Sequence, residues 1–87
     1  MYSLEIDVKL VEKLKKLEKK DRKRLETINK KVGQIRENPY HFKPLRAPMQ
    51  HMRRVHIDTS FVLIYSVDES RRVVILQDYD HHDNIYL

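Results

Sequence analysis

The stretch that decides the fold is residues 52–67, which reads MRRVHIDTSFVLIYSV. Two runs rich in β-branched and aromatic residues flank the short polar segment Asp58-Thr59-Ser60. Side chains of this kind favour a turn because they bond to their own backbone, and so short a turn enforces antiparallel pairing. Residues 61–65 are apolar at every position, so we predict that they form the central strand of a sheet, covered on at least one side.

Downstream of this hairpin, the sequence predicts one more antiparallel strand. Asp68-Glu69-Ser70 is a second turn-forming segment, and it is followed by the apolar run 73–76, which extends toward Tyr79. At the other end of the chain, residues 2–7 alternate apolar and polar side chains with the period of a short, half-buried strand.

Between these strands, apolar residues recur at helical spacing over residues 8–19 and again over 25–35. Asp21 is suited to cap the start of the second helix, and the proline at 39 predicts its end. Two helices joined by so few residues must lie antiparallel. The predicted fold class is α+β: a short N-terminal strand, an antiparallel helical hairpin and a three-stranded antiparallel meander, in a single domain spanning residues 1–87.

Positive charge is concentrated in the middle of the chain. The net charge is +5, and residues 39–57 contain three histidines and no acidic residue. The basic residues of this stretch are Lys43, Arg46, Arg53 and Arg54. Such a stretch favours a polyanionic partner such as nucleic acid, although a solvated loop and strand would have the same composition. The part from 39 to 50, which we call the basic loop, holds all three prolines and is expected to be semi-rigid.

Several classes of protein are excluded. The chain has no cysteine, so it forms no disulfide, thiolate nucleophile or cysteine-based zinc site. It has no stretch of about 20 apolar residues and no signal-peptide pattern at its start, so we expect a cytoplasmic protein with no membrane partner.

Arg54 and His56 are the first candidates for chemistry. Side chains two residues apart in a strand point to the same face, so the guanidinium and the imidazole are expected to lie side by side. Together they can hold a phosphate and move a proton, which is what RNA cleavage by attack of its own 2′-hydroxyl requires. An exposed strand face with two polar residues is the alternative.

The C-terminal run 78–87 is the second candidate, because it packs two histidines, three carboxylates and two tyrosines just beyond the last strand. A metal site, an acid/base group and a polar tail that caps the sheet are all compatible with it. Adjacent histidines should point in opposite directions from an extended backbone, and the spacing is not that of a regular ligand set. We therefore assign no metal ligand, and we expect His81 to be a surface residue.

The order of these elements, together with several short motifs, resembles toxins of the RelE/ParE superfamily, and most closely the YafQ-like branch of RelE. The motifs are Pro44-Leu45, Arg53-x-x-His56, the strand 61–65 and His82-x-x-Ile85-Tyr86. The resemblance implies an endoribonuclease toxin, an mRNA interferase, that cuts mRNA on the translating ribosome and is held inactive by a cognate RelB-like antitoxin. It implies no metal and no other cofactor.

The resemblance also implies roles for individual residues. His56 and His82 match the two histidines of the YafQ-like branch, Arg54 stands where other RelE proteins have a lysine, and Tyr86 matches the closing aromatic. We therefore expect catalytic roles for His56, His82, Arg54 and Tyr86. The residues expected to contact RNA are Lys43, Arg46, Arg53 and Phe61.

The chain departs from the family pattern near its end. Where the family commonly has an arginine and a glycine before the C-terminal histidine, this chain has Asp78-Tyr79-Asp80, and Ser60 replaces an acid before the aromatic of the third predicted strand. Arg54, Arg53 and Lys43 would then have to stabilise the charge of the reacting phosphate.

Two other functions remain open within the same fold. One is a ParE-like toxin that inhibits DNA gyrase through protein contacts, and the other is an RNA- or ribosome-binding domain without catalysis. For any of the toxins, we expect the antitoxin to dock on the helical hairpin, along an apolar stripe flanked by lysines.

Overall fold

The structure is a computed structural model that describes residues 1–85. Its elements follow one another as β1 (Ser3–Ile6), α1 (Val8–Lys20), α2 (Arg22–Glu37), β2 (Met52–Ile57), β3 (Phe61–Asp68), β4 (Val73–His81) and α3 (His82–Ile85). The predicted α+β class is confirmed, and each predicted helix and strand is present. The last strand is longer than predicted, and the short helix α3 was not predicted.

The strands form one sheet in the order β1-β4-β3-β2, so β3 has a neighbour on both sides, as its apolar sequence predicted. β2, β3 and β4 pair antiparallel as a meander. β1 lies parallel to the start of β4, from Ser3 beside Val73 to Ile6 beside Leu76. The rest of β4, from Gln77 onward, therefore has no β1 residue beside it.

The two long helices begin at aspartates. The Asp7 carboxylate accepts a hydrogen bond from the Lys9 amide, and the Asp21 carboxylate accepts one from the Arg24 amide. Each bond satisfies an amide that the first turn of a helix leaves free, and such a cap is worth about 1 kcal/mol. The predicted cap at Asp21 is thus confirmed.

The helical hairpin covers one face of the sheet. Leu10 and Ile35 are fully buried there, and they belong to the same cluster as Leu63 and Tyr65 of β3. Burial of each such side chain contributes roughly 1.5–3 kcal/mol. The sheet of the same chain buries part of the apolar stripe of the hairpin, and docking of an antitoxin on the hairpin stays a prediction.

The face of the sheet turned away from the helices, which we call the outer face, carries a second and smaller core. Val62 and Ile64 are buried there under Leu45 of the basic loop, and Ile85 of α3 packs against them. The Tyr65 hydroxyl reaches the loop from the helix side and donates to the Pro39 carbonyl at 2.7 Å. Burial raises the pKa of Tyr65 to about 12, so this donor keeps its proton at neutral pH.

None of the helices within residues 1–85 has the length and apolarity that crossing a bilayer demands.

Candidate functional site

Arg54 and His56 lie on the outer face, as predicted from the pleat of the strand. Arg54 is paired with Ile64, and His56 with Val62. The residues between and after them, Val55 and Ile57, point the other way and are buried. The His56 imidazole is exposed on this face.

The basic loop runs along the edge of β2 and brings its cations next to Arg54. The Leu45 amide donates to the Met52 carbonyl at 2.9 Å, and the Arg54 amide donates to the Lys43 carbonyl at 3.2 Å. These bonds hold the loop as a short extension of the sheet. Leu45 points into the outer core, while Lys43 and Arg46 remain exposed to solvent.

Two adjoining cavities open between the loop and the sheet. One of about 490 Å³ is lined by residues 43–46, Met49, Arg54 and Ile85. The other, of about 430 Å³, is lined by residues 41–43, residues 54–56 and Lys31. Lys43 and Arg54 line both cavities, so we treat the two as one feature and call it the basic groove. Each cavity is in the size range of small-molecule sites.

The charged residues among the described lining of the basic groove are all basic. The groove combines the charges of Lys31, Lys43, Arg46 and Arg54 with the His56 imidazole, and no acidic residue is among the described residues that line it. Leu45, Met49 and Ile85 supply apolar walls beside these charges. A phosphate together with an attached base or sugar fits such a combination.

A β-bulge in β4 decides which tail residues share the outer face. Tyr65 is paired with Leu76, but Ile64 is paired with Asp78, so Gln77 is the extra residue. Because of this shift, Asp78 and Asp80 lie in register with Arg54 and His56 across β3. Without the bulge, Tyr79 and not Asp80 would have stood in register with His56. The sequence analysis did not predict the bulge.

Lys13 of α1 pairs with both of these aspartates. Its ammonium group reaches the part of β4 that lacks a β1 neighbour and lies 2.7 Å from Asp78 and 3.3 Å from Asp80. It also donates to the Tyr79 carbonyl at 3.0 Å. Partial burial opposes the charged form, but the hydrogen bonds to the two carboxylates outweigh it and raise the pKa of Lys13. The sequence analysis missed this residue, because nothing distinguishes it from the other lysines of α1.

Asp80 also fixes the start of α3. Its carboxylate accepts hydrogen bonds from the His81 amide at 2.7 Å and from the Asn84 side chain at 3.2 Å. Burial would raise the pKa of Asp80, but these bonds and the Lys13 ammonium lower it overall. The Asp80 carboxylate thus ties the end of β4 to α3.

His82 lies at the end of the sheet and does not line the basic groove. Its amide donates to the Ser60 carbonyl at 2.9 Å, and its ring stacks on that of His81 with 4.6 Å between centroids. The expectation that these two imidazoles point in opposite directions is wrong, because the strand ends at His81 and the backbone turns into α3. His56 and His82 lie on opposite sides of β3, because His56 is beside Val62 on β2 and His82 follows the end of β4.

Two residues expected to contact RNA lie away from the basic groove. The Arg53 guanidinium donates to the Phe42 carbonyl at 2.7 Å and lies 5.0 Å from the centre of the Tyr40 ring. Phe61 stacks on Tyr79 under the Arg24 guanidinium, on the helix side of the sheet. Their contact with RNA stays a prediction. Tyr86, expected to be catalytic, lies outside the described residues.

Comparison with known proteins identifies the family. The family model described as ParE toxin of the type II toxin-antitoxin system parDE matches residues 4–86. A protein of Methanocaldococcus jannaschii named "Putative toxin RelE4" is 52% identical over 86 residues, which are 99% of this chain and 92% of that protein. An uncharacterised protein of Methanosarcina mazei is 55% identical over 86 residues, 99% of this chain and all of that protein.

Among solved structures, the intact E. coli RelBE toxin-antitoxin complex contains a similar chain. The TM-score is 0.80 at 21% sequence identity, over 93% of this chain and 96% of that one. This likeness shows a shared fold. With the family match spanning nearly its whole length and two relatives more than half identical, the chain belongs to the ParE toxin family of type II toxin-antitoxin systems, within the RelE/ParE superfamily.

Proposed function

We propose that this toxin is an endoribonuclease that cleaves mRNA on the translating ribosome, in the cytoplasm. The observation that carries the proposal is the basic groove, in which Arg54 and His56 stand side by side on the outer face next to Lys43 of the basic loop. A cleavage site needs a cation for the phosphate and a group that moves protons at neutral pH, and an arginine–histidine pair offers both.

The proposed reaction is attack of an RNA 2′-hydroxyl on the adjacent phosphorus. One imidazole accepts the proton of the 2′-hydroxyl, and the other donates a proton to the departing 5′-oxygen, so a cyclic phosphate and a 5′-hydroxyl end are formed. We assign proton transfer first to His82, with His56 as its counterpart. Arg54 and Lys43 offset the extra negative charge of the transition state, and Tyr86 stacks on or orients a base. The chemistry requires no metal.

The positions of the two histidines support the assignment of one as the acid and the other as the base. In-line attack places the entering and leaving oxygens on opposite sides of phosphorus, so the acid and the base must flank the substrate rather than contact each other. β3 separates His56 on β2 from His82 at the end of β4, which leaves room for a phosphate between the two imidazole side chains. A direct His56–His82 contact would have left none.

The test is to induce the toxin in cells and map new 5′ ends on messages. We expect ends inside translated reading frames at a fixed position within the codon, and none after induction of His82→Ala. The variant must keep its circular dichroism spectrum and its binding to antitoxin for the comparison to count. Full cleavage by folded His82→Ala, or cleavage of untranslated RNA at the same sites, would contradict the proposal.

A second candidate function is inhibition of DNA gyrase, and the match to the ParE family model favours it. Such a toxin acts through protein contacts and has no need of the groove histidines. Gyrase-dependent DNA breaks after induction, undiminished in a His56→Ala, His82→Ala double variant, would establish this function in place of the ribonuclease.

A third candidate is binding to RNA or the ribosome without catalysis. The carboxylates of Asp78 and Asp80 on the outer face support it, since they stand where related toxins have other residues. Variants that lose cleavage and still arrest growth to the same degree would favour this function.

We further propose a RelB-like antitoxin as the silencing partner, which the similarity to the toxin of the E. coli RelBE complex supports. The exposed lysines of α1, among them Lys9, Lys15 and Lys16, would attract an acidic chain that folds on binding. Co-expression with the neighbouring gene should yield a complex on size-exclusion chromatography. Elution of the toxin alone would count against this partner.

A further inference from the structure

We propose that His81, His82 and Asp83 form a binding site for a late first-row divalent metal ion, of which Zn²⁺ is the simplest probe. The three residues each offer one ligand atom, and these atoms all lie within 4.8 Å of one another. The site is separate from the basic groove, whose described lining residues include none of the three.

The distances within the cluster are compatible with a metal site. The Nδ1 atom of His82 lies 2.9 Å from Asp83 Oδ1, and the Nδ1 atom of His81 lies 3.5 Å from Asp83 Oδ2. Tetrahedral zinc with ligand bonds of 2.0–2.1 Å places its ligand atoms about 3.3 Å apart. These two distances bracket that value, and all three ligand atoms lie within 4.8 Å of one another, so rotation of the exposed imidazole and carboxylate groups would bring them into position.

The backbone explains why adjacent histidines converge. β4 ends at His81 and α3 begins at His82, and the two rings stack at an interplanar angle of 29°. The Asp83 amide donates to Nδ1 of His81 at 3.2 Å, which requires a lone pair on that nitrogen. A metal ion that binds this nitrogen would replace the hydrogen bond from the Asp83 amide.

The ligand set selects the kind of ion. Two imidazoles and one carboxylate suit zinc, copper or nickel, whereas Mg²⁺ prefers oxygen ligands and retains its water. The side chains of His81, His82 and Asp83 are 38%, 43% and 71% exposed, so an ion reaches the site from solvent and completes its coordination with water.

Metal binding here would remove His82 from proton transfer. A coordinated Nδ1 fixes the ring at the end of the sheet, away from a substrate in the basic groove. This consequence, unlike the binding itself, rests on the proposed ribonuclease function. The inferred ion is thus an inhibitor of the toxin and not its cofactor.

The test is isothermal titration calorimetry of the full-length protein with Zn²⁺, with Mg²⁺ as the control ion. We expect one Zn²⁺ per chain and no binding of Mg²⁺. His81→Ala and Asp83→Asn should each weaken Zn²⁺ binding at least tenfold, and His51→Ala, an exposed histidine of another segment, should leave it unchanged. Unchanged affinity in His81→Ala and Asp83→Asn, or no binding by wild type, would overturn the proposal.

A second measurement separates this inference from the proposed function. Zn²⁺ should suppress RNA cleavage by wild type and spare cleavage by His81→Ala, whose substituted residue has no assigned role in the reaction. Equal suppression of both would contradict the inhibitory role. If neither protein cleaves RNA at all, the ribonuclease proposal fails, while calorimetry and zinc-induced shifts of the two imidazole NMR signals still decide the metal site.

Discussion

The two sides of the outer face differ in how their charges are balanced. On the β2 side, the basic groove gathers cations with no acidic residue among its described lining residues. On the β4 side, Asp78 and Asp80 lie on the same face, but Lys13 pairs with both from the far side of the strand. The described residues that line the first side are basic, whereas Lys13 offsets only one of the two negative charges on the second.

This difference bears on how Asp78 and Asp80 affect RNA bound in the basic groove. If Asp78 and Asp80 carried unpaired charge, they would repel an RNA phosphate bound beside His56. Because Lys13 pairs with both, it offsets one of the two charges and weakens this repulsion. The same ion pairs tie the end of β4 to α1.

The largest expected effect comes from the imidazoles. His82→Ala and His56→Ala should each lower the rate of ribosome-dependent mRNA cleavage by roughly 100- to 10,000-fold, the range for a proton-transferring group. RNA affinity should change little, since neither substitution removes a fixed charge. Single-turnover cleavage and RNA binding by fluorescence anisotropy measure the two quantities. His51→Ala, an exposed histidine outside the lining of the basic groove, is the matched control and should cleave at near the wild-type rate.

The second largest effect tests the basic groove on the β2 side of the outer face. Arg54→Gln should lower the cleavage rate by roughly 100- to 1,000-fold, because a cation aimed at the developing phosphate charge is lost. It should also weaken RNA binding and reduce the dependence of that binding on salt. Lys20→Gln at the end of α1 removes the same charge far from the groove. Equal losses in both variants would mean that the groove has no special role.

The helices and strands that carry both sides of the outer face could be predicted from the sequence alone. Periodicity gave α1 and α2, and the apolar run at 61–65 gave the central strand, because burial on one or both faces leaves a regular mark on the residue pattern. The same rule placed Arg54 and His56 together. The basic groove could be predicted only in part, since no local signal shows that the basic loop extends the sheet or that Ile85 closes over it.

The β4 side could not be predicted, and the reason is a single residue. The bulge at Gln77 exchanges the faces of every later residue in the strand, so Asp80 and not Tyr79 ends up on the outer face. A bulge depends on how β3 and β4 pack together rather than on the local sequence. The contact between Lys13 and Asp78 spans 65 residues and depends in turn on that bulge.

A smaller effect tests the pairing of Lys13 with the two aspartates on the β4 side. Lys13→Gln leaves two carboxylates unpaired about 10 Å from His56, which is close to the Debye length at 0.1 M salt. RNA affinity should fall by roughly two- to fivefold at low salt and recover at high salt. Adding Asp78→Asn and Asp80→Asn to the variant should restore affinity at every salt concentration. No loss in Lys13→Gln would show that the acids do not influence the groove.

The smallest effect is on the pH dependence of stability. The pKa of Asp80 is lowered in the folded protein, so the stability it contributes is fully present above about pH 4 and is lost as the pH falls through the lowered pKa. Wild type should melt about 2–5 °C above Asp80→Asn at pH 6, and the difference should shrink in strong acid. In the Lys13→Gln background the pH-6 difference should be smaller, because one of the partners that hold the carboxylate ionised is gone. A difference that persists unchanged to the lowest pH would mean that Asp80 acts through shape, as a cap for α3, and not through its charge.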